Sequence, residues 1–376
     1  MNKDDDNRLM SLPPKGLSLL EKKRRQYLLG SVASVALGIA CLGVASSMLF
    51  SKPPEYATGE ENLDAILPYS QIETAGDPRI KRVMRLMRRT PTGEYLYQYA
   101  AGQDFRFAWN TEIDDGNGSY KDGLIKESPR LESDQSLALT GVHEIRHGWQ
   151  MRLLQRMPYK TDPITEWQLS IVIEADSCAY TAHYAAEYKD ITGVDLTKNF
   201  SGYGAKTAKT YVRTPEIQRD FFLHAVLPCF EEIKNYPSYD KLAKKRAAIV
   251  TNMVDIVAAI SLNRIMIAEN GGSPYDPGFF RKDIASPSAK EKAALFSQFF
   301  SLDMGGGKPL PRLQNLSQNP DEFLTWLDRT TLKDTFDLAV VHLQQQHYYR
   351  VRDIILEHEA TLDPSLYSPG TYPPAL

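Results

Sequence analysis

The pentad His143-Glu144-Ile145-Arg146-His147 sets out a metal chemistry. Residues four apart on a helix share a face, so both imidazoles reach one metal ion while Glu144 stands beside it, next to a coordinated water. Zinc (Zn2+) suits that donor set, and the reaction it suits is hydrolysis, with Glu144 as the base for the attacking water.

A third ligand must come from elsewhere, and Glu174, Asp176 and His183 compete for the place. At helical spacing Ile171, Glu174, Ala175, Cys178, Ala182 and Ala185 share one side, which is small and apolar apart from Glu174. Asp176, Tyr180, His183 and Glu187 line another face, polar and open to solvation. A carboxylate on the apolar side needs a cationic partner, and an ion held by two imidazoles is one. Glu174 is therefore the predicted ligand. Asp176, two residues on and about 200° round the helix, is not expected to orient a ligating histidine. A second group polarising the substrate is expected among Tyr180, Tyr184, Tyr203, Tyr211, Arg213 and His224, which spacing does not rank. His342 and His347 are five apart, misaligned on a helix, and are not expected to form a site; His358 belongs to no constellation.

With these residues the chain resembles the zincin metallopeptidases, whose active-site helix follows an edge strand that pairs with the substrate backbone. Thr140-Gly141-Val142 and Gly148-Trp149 are similar to the uncharged and then hydrophobic surroundings of that motif; Arg146 departs from it, the position being usually uncharged. Glu174-Ala175-Asp176 resembles the glutamate-ligand (gluzincin-like) type, in which a downstream helix donates a glutamate. HExRHxxQ, completed by Gln150, followed by EAD is similar to uncharacterised bacterial metallopeptidase domains. No histidine follows His147 at metzincin spacing. The resemblance covers roughly residues 95 to 190. It implies a zinc peptidase with His143, His147 and Glu174 as ligands, Glu144 as the catalytic base, and a peptide or protein substrate. The alternative from another class is a membrane-tethered binding or scaffold protein with a structural or inactive metal site. Only Glu144, which a structural site does not need, speaks against it.

Two helices have to carry this constellation, one over 133–157, begun by Ser133-Asp134, and one over 164–189. Upstream, Tyr95 to Asn110 alternates like a strand, clearest at Phe105, Phe107 and Trp109, and Gly123 to Lys126 reads as a second short strand. Asp114 to Gly118 is expected as a turn, since it lacks the distal glutamate of a calcium loop. Further helices are expected over 216–233, 239–269, 288–301, 320–328 and 331–358. In the last, Leu332, Phe336, Ala339, Leu343, His347, Val351 and Ile354 form the expected buried stripe. Residues 247–268 are nearly apolar enough for a membrane span, but Asn252, Asp255, Asn263 and Arg264 point to a buried amphipathic helix. The expected fold class is a helix-rich α+β chain: a zincin-like core with a small early β-sheet, then a helical C-terminal region.

The 376 residues are 42% hydrophobic and 24% charged, a globular composition. With 44 basic against 47 acidic residues there is no positive field to hold nucleic acid, which is excluded as an expected partner. Three cysteines, Cys41, Cys178 and Cys229, are too few for a four-thiolate zinc site. A disulfide between Cys178 and Cys229 is conceivable outside the cytoplasm, though Cys178 reads better as a small packed residue. Leu28 to Phe50 carries no charge and at about 1.5 Å per residue spans a bilayer core of ~30 Å. Lys22, Lys23, Arg24 and Arg25 before it, and Glu55, Glu60, Glu61 and Asp64 after it, predict a single-pass anchor with a cytoplasmic N-terminus. The catalytic domain is then extracytoplasmic, periplasmic in a Gram-negative bacterium. Gly30, Ser34 and Gly38 make a stripe for weak homodimer contact between anchors. The expected division is a tail over 1–27, the membrane helix over 28–50, a linker over 51–78, the metallopeptidase core over 79–200 and the helical region over 201–376.

Overall fold

At four helices a capping side chain stands just ahead of a proline at the first position. The proline lacks only an N–H that would be orphaned there anyway, and the cap satisfies the next ones. These pairs are Asp77-Pro78, Thr90-Pro91, Asp162-Pro163 and Thr214-Pro215. The computed structural model describes residues 66–110, 118–129, 133–155, 162–200, 204–235, 237–276, 288–300, 318–332 and 336–367. The expected anchor, its Gly30, Ser34 and Gly38 stripe, Cys41, Tyr203 and most of the Asp114 to Gly118 turn lie outside them.

The described chain is helix-rich with one small sheet. Strand β1 (Leu67–Pro68) is followed by α1 (Ile72–Ala75), α2 (Pro78–Met87) and α3 (Pro91–Gly102). Strands β2 (Arg106–Trp109), β3 (Gly118–Lys121) and β4 (Leu124–Glu127) complete a sheet of order β1-β2-β4-β3. Antiparallel pairing joins β3 to β4 through Asp122 and Gly123, both at positive φ, and β4 runs parallel to β2. Then come α4 (Asp134–Gln155), α5 (Pro163–Thr192), α6 (Ala205–Thr210), α7 (Pro215–Arg219), α8 (Leu227–Lys234) and α9 (Pro237–Glu269). Last are α10 (Ala289–Phe296), α11 (Pro320–Thr331) and α12 (Phe336–Ala360).

Several expectations are corrected. Tyr95 to Gly102 is helical, because Thr90 and Pro91 start α3 there; only Arg106–Trp109 is a strand. The strand read at Gly123 to Lys126 is β4, an interior strand, and the edge strand beside α4 is β3, which the sequence reading did not include. The helix expected over 216–233 is split by a π-helical turn at Phe222–Val226, just before Pro228, whose missing N–H opens the ladder. In α12 the buried positions are Leu338, Val341, Tyr348 and Ile355, while Leu343 and Ile354 of the expected stripe face solvent. Cys178 and Cys229 are both buried and both free thiols.

The chain divides into two units, which for the described residues are 66–251 with 288–353, and 252–276 with 354–367. In the first, one apolar cluster runs from Tyr69 and Ile80 through α4 and α5 to Phe230, Phe300, Phe323 and Val341. In the second, Ile265, Ala268, Tyr275 and Leu362 form a small cluster. Ala243–Glu269 of α9 is long and apolar enough to cross a membrane, a test that the core helix of a soluble protein also passes. It buries Val254, Ala258, Ser261, Ile265 and Ala268 on one face, yet Ile249, Ile260, Met266 and Ile267 are exposed, so it is less buried than expected.

Candidate metal centre

Both site helices are enclosed nearly all round: α4 buries Val142, Ile145 and Trp149, and α5 buries most of its 30 residues. Charged groups on such helices have no solvent to fall back on and must find partners.

His143 and His147, one turn apart on α4, stack edge to face with ring centroids 4.5 Å apart. His143 Nε2 lies 3.3 Å from Glu174 Oε1, and His147 Nε2 lies 3.3 Å from Glu174 Oε2. One carboxylate from α5 thus spans the two imidazoles, with all three side chains 14–18% exposed. Burial disfavours charge on His147, but its hydrogen bond and attraction to Glu174 outweigh that and push its pKa up to about 9. Burial works against the Glu174 anion too, and His143 and His147 together hold its carboxyl far below the usual range.

The far side of His147 fixes its tautomer. Gln150 Nε2 donates to Ile173 O at 2.9 Å and to Asp176 Oδ2 at 2.7 Å, so its Oε1 is left to accept. That oxygen is 2.8 Å from His147 Nδ1, with Ser177 Oγ 3.1 Å from the same nitrogen. Nδ1 therefore carries the proton and donates to Gln150, which leaves the Nε2 lone pair for a metal. Two imidazole nitrogens and a carboxylate, one of the imidazoles held from behind in the ligating tautomer, are a donor set that fits zinc.

Asp176 is at the centre of the support. It accepts from Arg146 Nε at 2.7 Å, from a second guanidinium nitrogen at 2.9 Å, from Gln150, and from the Phe300 backbone N–H at 2.9 Å. Arg146 is wholly buried, its guanidinium 4.1 Å from the Trp149 ring centroid and 4.6 Å from that of Tyr180. The expectation of a solvated face is therefore corrected: Asp176, Tyr180, His183 and Glu187 are all buried, because α6, α8 and the π turn pack on the side of α5 that a lone helix would give to water. Asp176 reaches His147 through Gln150 rather than by direct contact.

Glu144 is 7% exposed, and burial, partly offset by the two histidines, raises its pKa. A Cβ on Gly118 would stand 3.1 Å from Glu144 Cγ and Oε1, so the first residue of β3 is bare where the glutamate lies. Cys178 was missed as a donor. Its Sγ is 3.9 Å from Glu174 Oε1, and with His143 it brings three donor atoms within 4.8 Å of one another.

The other expected residues are not brought to this point. His183 bonds Tyr211 at 3.0 Å, and its burial pulls its pKa down to about 4. Arg213 pairs with Glu187 and Asp190, Tyr184 donates to Leu86 O, and His224, His342, His347 and His358 are exposed. Comparison with family models, curated proteins and solved structures finds no match to the chain.

Proposed function

We propose that the chain is a membrane-anchored, zinc-dependent peptidase of the glutamate-ligand zincin type, with His143, His147 and Glu174 holding the ion and Glu144 as general base. The observation that carries this reading is the approach of two imidazole Nε2 atoms to separate oxygens of one carboxylate, each at 3.3 Å, with the glutamate of the motif enclosed at the adjoining position. When bound, zinc supplies a Lewis acid that brings the pKa of a water toward ~7. Glu144 would take a proton from the water that attacks the peptide carbon and, as the C–N bond breaks, return it to the leaving amine. Among the described residues β3 has no partner strand on its outer side, and at Gly118 it runs past Glu144. Its backbone is available there to an extended peptide, which would pair with it by strand addition. Residues 28–50 provide the anchor, and the catalytic domain lies outside the cytoplasm.

Cys178 favours a second reading, since a fourth protein donor closes a zinc site and makes it structural. Glu144→Gln separates the two. Under the peptidase reading zinc stays near one per chain while peptide cleavage falls at least ~100-fold. Unchanged cellular function in Glu144→Gln, with zinc lost in Cys178→Ser, would replace the peptidase with a scaffold.

A further inference from the structure

Behind Glu144 lies a second carboxyl that the reaction above does not use. Glu127 ends β4 and is wholly buried, and among the described residues neither of its oxygens has a hydrogen-bond partner. Two features bring it to the catalytic glutamate. In the β3–β4 ladder Glu127 is directly opposite Gly118, the residue against which Glu144 lies, and side chains so paired stand about 5 Å apart on one face. On α4, a Cβ at Gly141 would be 3.0 Å from Glu127 Oε1, and Gly141 is one turn before Glu144 on the same side.

Among the described residues no cation forms an ion pair with Glu127. Tyr69, in the short turn after β1, buries its hydroxyl, also without a partner among the described residues. Arg79 on α2 directs its guanidinium to Asp134 at 3.3 Å and to the Pro129 carbonyl. Glu144 on α4 is itself a carboxylate. A carboxyl that is wholly buried with neither oxygen hydrogen-bonded among the described residues has nothing to stabilise a charge, so Glu127 holds its proton. Burial, reinforced by Glu144, pushes the Glu127 carboxyl well above its ordinary range, and Arg79 only partly opposes this.

We propose that Glu127 is a neutral carboxylic acid enclosed between β4 and α4, a positioning residue packed behind Glu144. It deepens the peptidase reading and rests on it for the role of Glu144 as base. The protonation state of Glu127 does not depend on that reading.

Infrared difference spectra of the full-length protein minus its Glu127→Gln variant test the state directly. At neutral pH the difference shows a carboxylic-acid C=O band. An ionised carboxylate band at neutral pH overturns the proposal. In peptide cleavage, Glu127→Ala is expected to lower kcat about 10-fold or more with KM little changed, and Glu127→Gln to recover most of that loss. Equal loss in both variants would mean that the negative charge is what matters, and would also overturn it. Zinc binding without any cleavage counts against the peptidase reading, while the infrared band decides Glu127 on its own.

Discussion

His147 has its two ring nitrogens committed in opposite directions, Nδ1 to Gln150 and Nε2 toward Glu174. Two outcomes follow from that division. Glu174→Ala removes a ligand, so dialysed protein should lose zinc affinity by more than the about 10–100-fold expected of Gln150→Ala, which removes only the orienting partner; equal retention in Glu174→Ala and wild type would displace Glu174 from the site. The second outcome concerns pH. Metal-free, His147 has a folded pKa of about 9, above its unfolded value of about 6.5. Its protonation stabilises the metal-free fold fully below the unfolded value, and that contribution is lost as pH rises through the folded one. Zinc needs the neutral imidazole, so the melting-temperature gap between zinc-loaded and metal-free protein should widen from pH 6 to pH 9. A gap that narrows over that range would remove His147 from the ligands. At this scale the approach of Glu174 to His143 and His147 was readable, because helical periodicity places all three without knowledge of the fold. The support was not. Asp176 was expected on a solvated face, and only the helices covering α5 turn it and Arg146 into a buried pair.

The edge of the sheet was the element least visible in the sequence. Asp122-Gly123 is the two-residue hairpin signal, yet the stretch before it, Gly118-Ser119-Tyr120-Lys121, is too short and polar to declare itself a strand. Gly123 to Lys126 was read as a strand, as β4 is, but its edge partner β3 was not. Tyr95 to Gly102 misled in the other direction: its aromatic residues alternate, but Thr90 and Pro91 had already committed the chain to a helix. The correction makes Gly118 a test of the edge. At that position a side chain would meet Thr140 Cγ2 at 2.4 Å and Glu144 at 3.1 Å. Gly118→Val should lower kcat at least ~10-fold by displacing Glu144, with zinc content kept. Wild-type turnover in that variant would show that β3 and Glu144 do not share the space described.

At the scale of the whole chain there are two apolar segments long enough to span a bilayer, residues 28–50 and Ala243–Glu269. Deleting residues 1–50 should release the protein from carbonate-washed membranes; retention would transfer the anchoring role to Ala243–Glu269. Phe230, Phe300 and Phe323, all beyond residue 200, lie in one apolar cluster with residues of α4 and α5. Nothing in their local sequence announces such long-range contacts. Phe300 illustrates what they entail. It adopts a left-handed φ of 73°, unfavourable for a residue with a side chain, while its N–H reaches Asp176 at 2.9 Å across 124 positions of chain. A nascent chain that has emerged as far as Thr192 already contains His143, His147 and Glu174, but Asp176 still lacks one of its donors. Closing so long a loop comes late in folding. The centre is thus set in its final geometry only after residue 300 has left the ribosome, so a product terminated before it would hold His143, His147 and Glu174 without all of the scaffold that aligns them.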